Sequence, residues 1–293
     1  MTRRNEPCPC GSGQRFKQCC GRVGGRSGAA PQAQGAAPDL PRAAAPPNIP
    51  FSVIDRTAPR ASGEREPALR QGVPGNVLVV DDYLTEAECR RLVEIMQTQP
   101  AEEAQIRILG DGADATDTRV LSSDHRITTT IKTFEVGDEV VPLVGHAFQT
   151  WVQDVYGQEI EWFEWPDILK YGPGGRYDLH ADAEVLDRDA GQWRRVQERD
   201  FSLLIYLNDA FTGGAIEFPD IGLTVQPRTG MLVAFPSDHR YRHAALPVTS
   251  GTRYVIVSWA AAVGSGRLLK GARTGVIYTD PKYVPPGLGG SGG

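Results

Sequence analysis

The stretch KYGPGGRYDLHADAEV, residues 170–185, sets His180 and Asp182 two positions apart at the end of a glycine-broken run, with Tyr171 and Tyr177 just upstream. Two such side chains do not make a metal site, so a third ligand has to come from far along the chain. The remaining histidines are His125, His146, His239 and His243. His146 lies in a helical pattern and reads as structural or solvent-facing. His125 lies in the polar run LSSDHRITTT, a loop or hairpin. His239 and His243 both fall in AFPSDHRYRHAALPV. His243 is the preferred ligand, because it begins the segment HAALPVTSGTRY, which leads through Gly251 to Arg253. His239 reads as a loop residue and stands as the alternative register.

Two imidazoles and one carboxylate on one face of an octahedral ion leave three positions open, which suits Fe(II) oxygenases that bind O2 and a cosubstrate. A chelating 2-oxo acid fills two of those positions. Its far carboxylate then needs a fixed cation, and a guanidinium meets a carboxylate with two parallel bonds where an ammonium does not. Arg253 is the candidate. It lies ten positions after His243 with a glycine turn between, so the two can sit on neighbouring strands. On a regular strand Arg253, Val255, Val257 and Trp259 share a face, which aims the arginine into an apolar barrel interior.

Around these residues the signals are mostly strands. FSLLIYLND (201–209) is a continuous apolar run of strand length, GAIEFPDIGLTVQ reads as two strands about a Pro-Asp-Ile-Gly turn, and PRTG (227–230) is a turn before MLVAF. RYVIVSWA (253–260) is the last clear strand. Short strands closely spaced by turn residues predict an antiparallel barrel or sandwich. Upstream, NVLVVDDYL is a short β-rich run. A helix follows in LTEAECRRLVEIMQTQ, where Thr85 and Glu88 form a capping box and Cys89, Leu92, Val93 and Met96 keep helical spacing. A second helix is expected from about 142 to 155. The run GDGADATD (110–117) lacks the alternation of a calcium loop and reads as a surface loop, and the residues after it as a lid hairpin over the site.

The 293 residues carry a net charge of −5 and are 40% hydrophobic, which does not point to nucleic acid or a membrane surface. No apolar run reaches the roughly 20 residues of a membrane span. The start MTRRNEPCPC lacks the apolar core of a secretory signal, so a cytoplasmic protein is expected. Between residues 29 and 50 there are eight Ala and six Pro with almost no large apolar side chain. That composition cannot bury enough surface to offset its ordering entropy. Four zones result: a cysteine-rich module at 1–22, an Ala/Pro/Gly-rich disordered linker at 23–74, the main domain at 75–264, and a Gly/Pro-rich tail at 265–293.

Four of the five cysteines, Cys8, Cys10, Cys19 and Cys20, crowd into thirteen residues as Cys-x-Cys and Cys-Cys, with eight residues between the pairs. Four thiolates complete a closed tetrahedral Zn(II) site. The segment is too small to fold on apolar burial, so metal would define its structure. A redox-active thiol cluster is the alternative. The fifth, Cys89, reads as a small buried hydrophobe. Residues 1–28 hold six Arg or Lys against one Glu, so the module stays positive even with a zinc-thiolate centre.

YGPGGRYDLHAD, HAALPVTSGTR and Trp259 together resemble the prolyl 4-hydroxylase branch of the Fe(II)/2-oxoglutarate dioxygenases, and VVDDYLTEAECRRLV is similar to that branch's opening strand and helix. The resemblance covers about residues 76–262. It implies a mainly β fold with flanking helices, a double-stranded β-helix of the jelly-roll or cupin type, with iron on His180, Asp182 and His243. It further implies that Arg253 binds the 2-oxoglutarate C5 carboxylate, that Tyr171 hydrogen-bonds the cosubstrate, and that Tyr177 and Trp259 lie near the substrate. Halogenating relatives have a small residue at the position of Asp182, so hydroxylation is the expected outcome, with Fe(II), 2-oxoglutarate and O2 as cofactors and ascorbate as a candidate reductant. CPCGSGQRFKQCCG closely resembles the SEC-C motif of many bacterial proteins, whose last ligand is His or Cys; Cys20 fits, and the chain gains a small N-terminal zinc knuckle.

The expected function is hydroxylation of a peptidyl residue, proline among the candidates, on a protein partner docked through the zinc module. SEC-C resemblance implies a protein or ribosomal, translation-associated partner, with nucleic acid entering only through that partner. Two other readings stay open: hydroxylation of a free amino acid or small metabolite, and a catalytically silent protein-binding module. Intact His180, Asp182, His243 and Arg253 speak against the last.

Overall fold

The ten-residue strand Arg253–Ala262 serves two cores at once. Alternate residues of a strand point to opposite faces. Tyr254, Ile256, Ala260 and Ala262 enter the core beneath the helices, while Val255, Val257 and Trp259 pack into a second core between two sheets. The run FSLLIYLND divides the same way, with Phe201, Leu203 and Ile205 in the first core and Leu204 and Tyr206 in the second. Burial on both faces is why these segments read as continuous apolar runs rather than alternating ones.

The computed structural model describes residues 60, 63–104, 106–109, 117–120, 125–132, 137–268, 273 and 275–280. Cys8, Cys10, Cys19 and Cys20, most of the 23–74 segment, the loop 110–116 and residues 281–293 lie outside the described residues.

Eight strands build the barrel: β1 (Asp167–Tyr171), β2 (Arg176–His180), β3 (Phe201–Tyr206), β4 (Ile216–Phe218), β5 (Leu223–Val225), β6 (Leu232–Pro236), β7 (His243–Ala245) and β8 (Arg253–Ala262). The larger sheet has the order β6-β3-β8-β1, and the smaller has β5-β4-β7-β2. All pairings are antiparallel. The chain therefore crosses between sheets after β1, β2, β3, β5, β6 and β7, which is the winding of a double-stranded β-helix. The β4–β5 turn is Pro-Asp-Ile-Gly, closed by Gly222 at φ 65, a left-handed conformation that favours glycine.

The large sheet continues beyond the barrel. Leu78–Asp81 pairs with β6, and Thr129–Lys132 pairs with β1. Helix α1 (Glu86–Thr98) covers its outer face with Cys89, Leu92 and Met96. The expected capping box is present: Glu88 N–H donates to Thr85 Oγ1 at 3.1 Å, and Thr85 N–H to Glu88 Oε2 at 2.8 Å. Cys89 is buried in this core.

Three boundaries differ from the sequence reading. Helix α2 is Gly137–His146, continued by a wide-turn segment Ala147–Val152 and by Gln153–Tyr156. It begins before residue 142 because Pro142 sits inside it, forfeiting one backbone bond without ending it. His146 is structural, with Nδ1 3.1 Å from the Tyr83 hydroxyl. Described strands also lie beyond both read limits of the main domain. Ala68–Leu69 pairs with Leu78–Asp81, and Val276–Tyr278 pairs with the strand Ile160–Glu164. Finally, residues 126–132 do not form a lid hairpin. Arg126–Ile127 extends the small sheet beside β2 and Thr129–Lys132 extends the large one, so both are wall strands.

Candidate metal centre and cosubstrate cavity

β2 ends on His180, and β7 begins on His243. The pairing of the two strands sets these residues opposite each other. Asp182 lies just past β2, so the chain turns its carboxylate back toward both rings. His180 Nε2 is 3.4 Å from Asp182 Oδ1, and His243 Nε2 is 3.7 Å from Asp182 Oδ2. One ligand atom from each residue lies within 4.8 Å of the others, the one such group of three among the described residues.

Each ring is held in one tautomer. His180 Nδ1 lies 2.8 Å from the Asp178 carbonyl, and His243 Nδ1 lies 3.1 Å from the Tyr241 carbonyl. A carbonyl only accepts, so each Nδ1 carries the proton and each Nε2 lone pair is free for a metal. Burial, together with the neighbouring His180, lowers His243 to about 4, so it is neutral at neutral pH. Burial works against ionisation of Asp182, but the pull of His243 and His180 in their protonated forms and of Arg199 outweighs it and holds the carboxyl well below the usual carboxylate range. A neutral imidazole at His243 and an ionised carboxylate at Asp182 are protonation states that metal binding requires.

Arg253 lies in the same cavity, whose volume is about 640 Å³. It is 2% exposed. Its guanidinium carbon sits 3.9 Å from the centre of the Tyr171 ring, its neighbour across the β8–β1 pair. Nη1 donates to the Gly214 carbonyl, while Nε is buried without a hydrogen-bond partner. No carboxylate among the described residues pairs with it. A buried cation without a counter-charge is costly, and an anion entering the cavity would supply one.

Tyr177 stacks on His180, with ring centres 3.7 Å apart, and Arg126 covers the tyrosine ring at 4.7 Å. Burial pushes its phenol up to about 12, so it keeps its proton. Trp259 lines the cavity beneath Arg199, whose guanidinium carbon is 3.7 Å from a ring centre of the indole. His239 is turned elsewhere: its Nδ1 lies 2.5 Å from Glu184 Oε2, and its ring stacks on Trp193 at 5.1 Å.

Some site residues were not singled out from the sequence. Arg199 makes a two-pronged ion pair with Glu164, at 2.6 and 2.7 Å. Tyr206 lines the cavity near Arg253. Ser202 donates to Asp182 Oδ2 at 2.6 Å. A hydroxyl in the apolar run FSLLIY was the available signal for Ser202; the others gave none.

The family model described as the 2OG-Fe(II) oxygenase superfamily matches residues 166–261, which span β1 to β8 and contain all four of His180, Asp182, His243 and Arg253. Residues 166–261 form a 2OG-Fe(II) oxygenase domain. A second model, the SEC-C motif, matches residues 4–22 and with them the four clustered cysteines. The chain is similar to prolyl 4-hydroxylase subunit alpha-1 of Gallus gallus, 36% identical over 118 residues, covering 38% of this chain and 23% of that protein. It is also similar to prolyl 4-hydroxylase subunit alpha-2 of Gallus gallus, 29% identical over 53% of this chain and 29% of the relative. Prolyl 3-hydroxylase 3 of Homo sapiens is 40% identical over 28% of this chain and 12% of its own length. The chain thus spans less than a third of each of these relatives. Among solved structures, a prolyl-4-hydroxylase of Pseudomonas putida matches with a TM-score of 0.44 and 18% identity over 64% of this chain and 94% of its own.

The family of the oxygenase domain implies Fe(II), 2-oxoglutarate and O2. The residues present fit these groups: two Nε2 atoms and a carboxylate suit Fe(II), and the guanidinium of Arg253, which pairs with no carboxylate among the described residues, suits the far end of a dicarboxylic keto acid.

Proposed function

We propose that this chain is an Fe(II)- and 2-oxoglutarate-dependent hydroxylase of peptidyl residues, with proline the first candidate. The observation that carries the reading is the convergence of His180, Asp182 and His243 in the cavity that also holds the carboxylate-free Arg253. In this reading the two Nε2 atoms and one Asp182 oxygen hold the iron. Arg253 receives the C5 carboxylate of 2-oxoglutarate, and Tyr171 braces the guanidinium and donates its hydroxyl to the same group. When bound, iron and 2-oxoglutarate supply oxidative decarboxylation with O2, which yields succinate and CO2 and places one oxygen atom on a substrate carbon.

The chain's own contribution is position and dryness. Val255 and Val257 are buried beside Arg253 on the inner face of β8 and keep water from the keto acid. Tyr177 and Trp259 flank the substrate side, each held by a cation, Arg126 and Arg199. A carboxylate at 182, rather than a small residue, favours hydroxylation over halogenation.

The prolyl hydroxylase names of the relatives support a peptidyl substrate. The SEC-C match and the six basic residues against one acidic in 1–28 support a Zn(II) site on Cys8, Cys10, Cys19 and Cys20 that docks a protein or ribosomal partner. A tether would then set the effective concentration of the domain at its target. No helix among the described residues is long and apolar enough to cross a membrane; cytoplasmic action is part of the proposal. The test is mass spectrometry of a cell extract treated with iron-loaded protein and 2-oxoglutarate. One added oxygen on a peptide, absent with Asp182→Ala, supports the reading. Oxidation confined to free metabolites moves the substrate to that class, and neither product leaves a binding role.

A further inference from the structure

Two serines form a chain that ends on the metal-site carboxylate. Ser202 is the second residue of β3 and Ser237 lies just after β6; they are 1% and 2% exposed. Ser202 Oγ donates to Asp182 Oδ2 at 2.6 Å, and the two serine oxygens are 2.7 Å apart. The order of donation is determined. Ser202 has one hydroxyl proton and spends it on Asp182 Oδ2, so Ser237 must donate to Ser202. The backbone of Ser237 is tied to the same turn: its carbonyl accepts from Ala183 N–H at 2.9 Å, and its N–H donates to the Asp200 carbonyl at 2.9 Å.

Both Asp182 oxygens lie near the histidine Nε2 atoms, Oδ1 by His180 and Oδ2 by His243. Without a further contact the carboxylate could grip an ion with either oxygen or with both. A hydrogen bond from a buried hydroxyl favours holding Oδ2 away from that role.

We propose that the Ser237–Ser202 chain sets the binding mode of Asp182, reserving Oδ2 and presenting Oδ1 as the single ligand oxygen. This rests on the reading of His180, Asp182 and His243 as a metal centre. The consequence is a count of positions. Three single-atom ligands leave three places on an octahedral ion, whereas a two-oxygen carboxylate leaves two, both taken by a chelating keto acid. Ser202 and Ser237 are therefore positioning residues that keep one place open.

The test uses full-length protein whose cysteine module has first been filled with one equivalent of Zn(II), with Co(II) as the probe metal and 2-oxoglutarate as the chelator. Metal affinity and the visible Co(II) spectrum are measured for the parent protein, Ser202→Ala, Ser237→Ala and Ser202→Thr. The expected result for Ser202→Ala is an altered spectrum with metal affinity changed by about tenfold, the scale of outer-shell losses. Ser237→Ala changes in the same direction by less, and Ser202→Thr restores the parent spectrum. If Ser202→Ala does not fold, Ser237→Ala decides by the same spectrum. Parent-like spectra and affinities in both alanine variants overturn the proposal while leaving the metal centre standing. A parent protein that takes up no Co(II) overturns both.

Discussion

His180 and His243 are direct cross-strand partners in the β2–β7 pair, with ring centres 4.3 Å apart although 63 positions separate them in the chain. The pairing brings two Nε2 lone pairs to one place without any contribution from His239, four residues earlier and turned to Glu184.

The first prediction follows from that asymmetry. His243→Ala lowers Fe(II) or Co(II) affinity by more than the roughly 10–100-fold that losing an outer-shell partner costs. His239→Ala leaves it within about threefold, below that range, because His239 contacts Glu184 and Trp193 and none of the three ligands. Equilibrium metal titration of the two variants checks the register; equal losses contradict it.

Arg253 sets function against stability. Its guanidinium is buried with no carboxylate partner among the described residues. Replacement by an apolar side chain of similar length, Arg253→Met, is expected to stabilise the ligand-free protein by about 1–2 kcal/mol. It abolishes detectable 2-oxoglutarate binding at the same time. Denaturant unfolding and calorimetric titration measure the two effects. Arg253→Lys retains the charge but not the two-pronged geometry, and binds the keto acid more weakly than the parent.

What the sequence disclosed depended on how local the signal was. The capping box of α1 is read within four residues, and it is present. The inward face of β8 follows from twofold alternation, and Arg253, Val255, Val257 and Trp259 do line one cavity. The His-x-Asp pair, a later histidine and an arginine ten residues on are a spacing pattern, and the pairing of strands gathers them. Strand order is not local, so the large sheet's extension by Leu78–Asp81 and Thr129–Lys132 was not legible. Neither was the return of Val276–Tyr278, since a Gly-rich surrounding hides a three-residue strand that is anchored by its backbone. The Ser237–Ser202–Asp182 chain joins three elements and shows in the sequence only as a hydroxyl inside an apolar run. Pro142 misled because a proline at the start of a helix and one inside it look alike in a single sequence.

Thr85→Ala removes one half of the capping box. The expected cost is about 1 kcal/mol of stability, read as a lower denaturant midpoint with an unchanged slope. Metal and 2-oxoglutarate affinities stay at parent values, since α1 touches the outer face of the large sheet and not the cavity. An unchanged midpoint would show that the cap contributes nothing.

Removal of residues 1–22 separates delivery from chemistry. Uncoupled 2-oxoglutarate turnover and turnover of short peptides should be unchanged. Modification of a large target in cell extract should fall by at least about tenfold, less than the roughly 100-fold or more that a second binding module can add. Bound zinc, measured by metal analysis of washed protein, should disappear with the module. Equal modification of large targets by both forms contradicts docking through the cysteine-rich segment.

The central claim is that His180, Asp182 and His243 hold an iron that consumes 2-oxoglutarate against Arg253. Its most direct test is succinate formation by the full chain with Fe(II), 2-oxoglutarate and O2, with and without proline-containing peptides, beside Asp182→Ala. The account predicts succinate from the parent protein, stimulated by peptide, and none above background from the variant. No succinate from an iron-loaded parent, or equal amounts from the parent and Asp182→Ala, would contradict it.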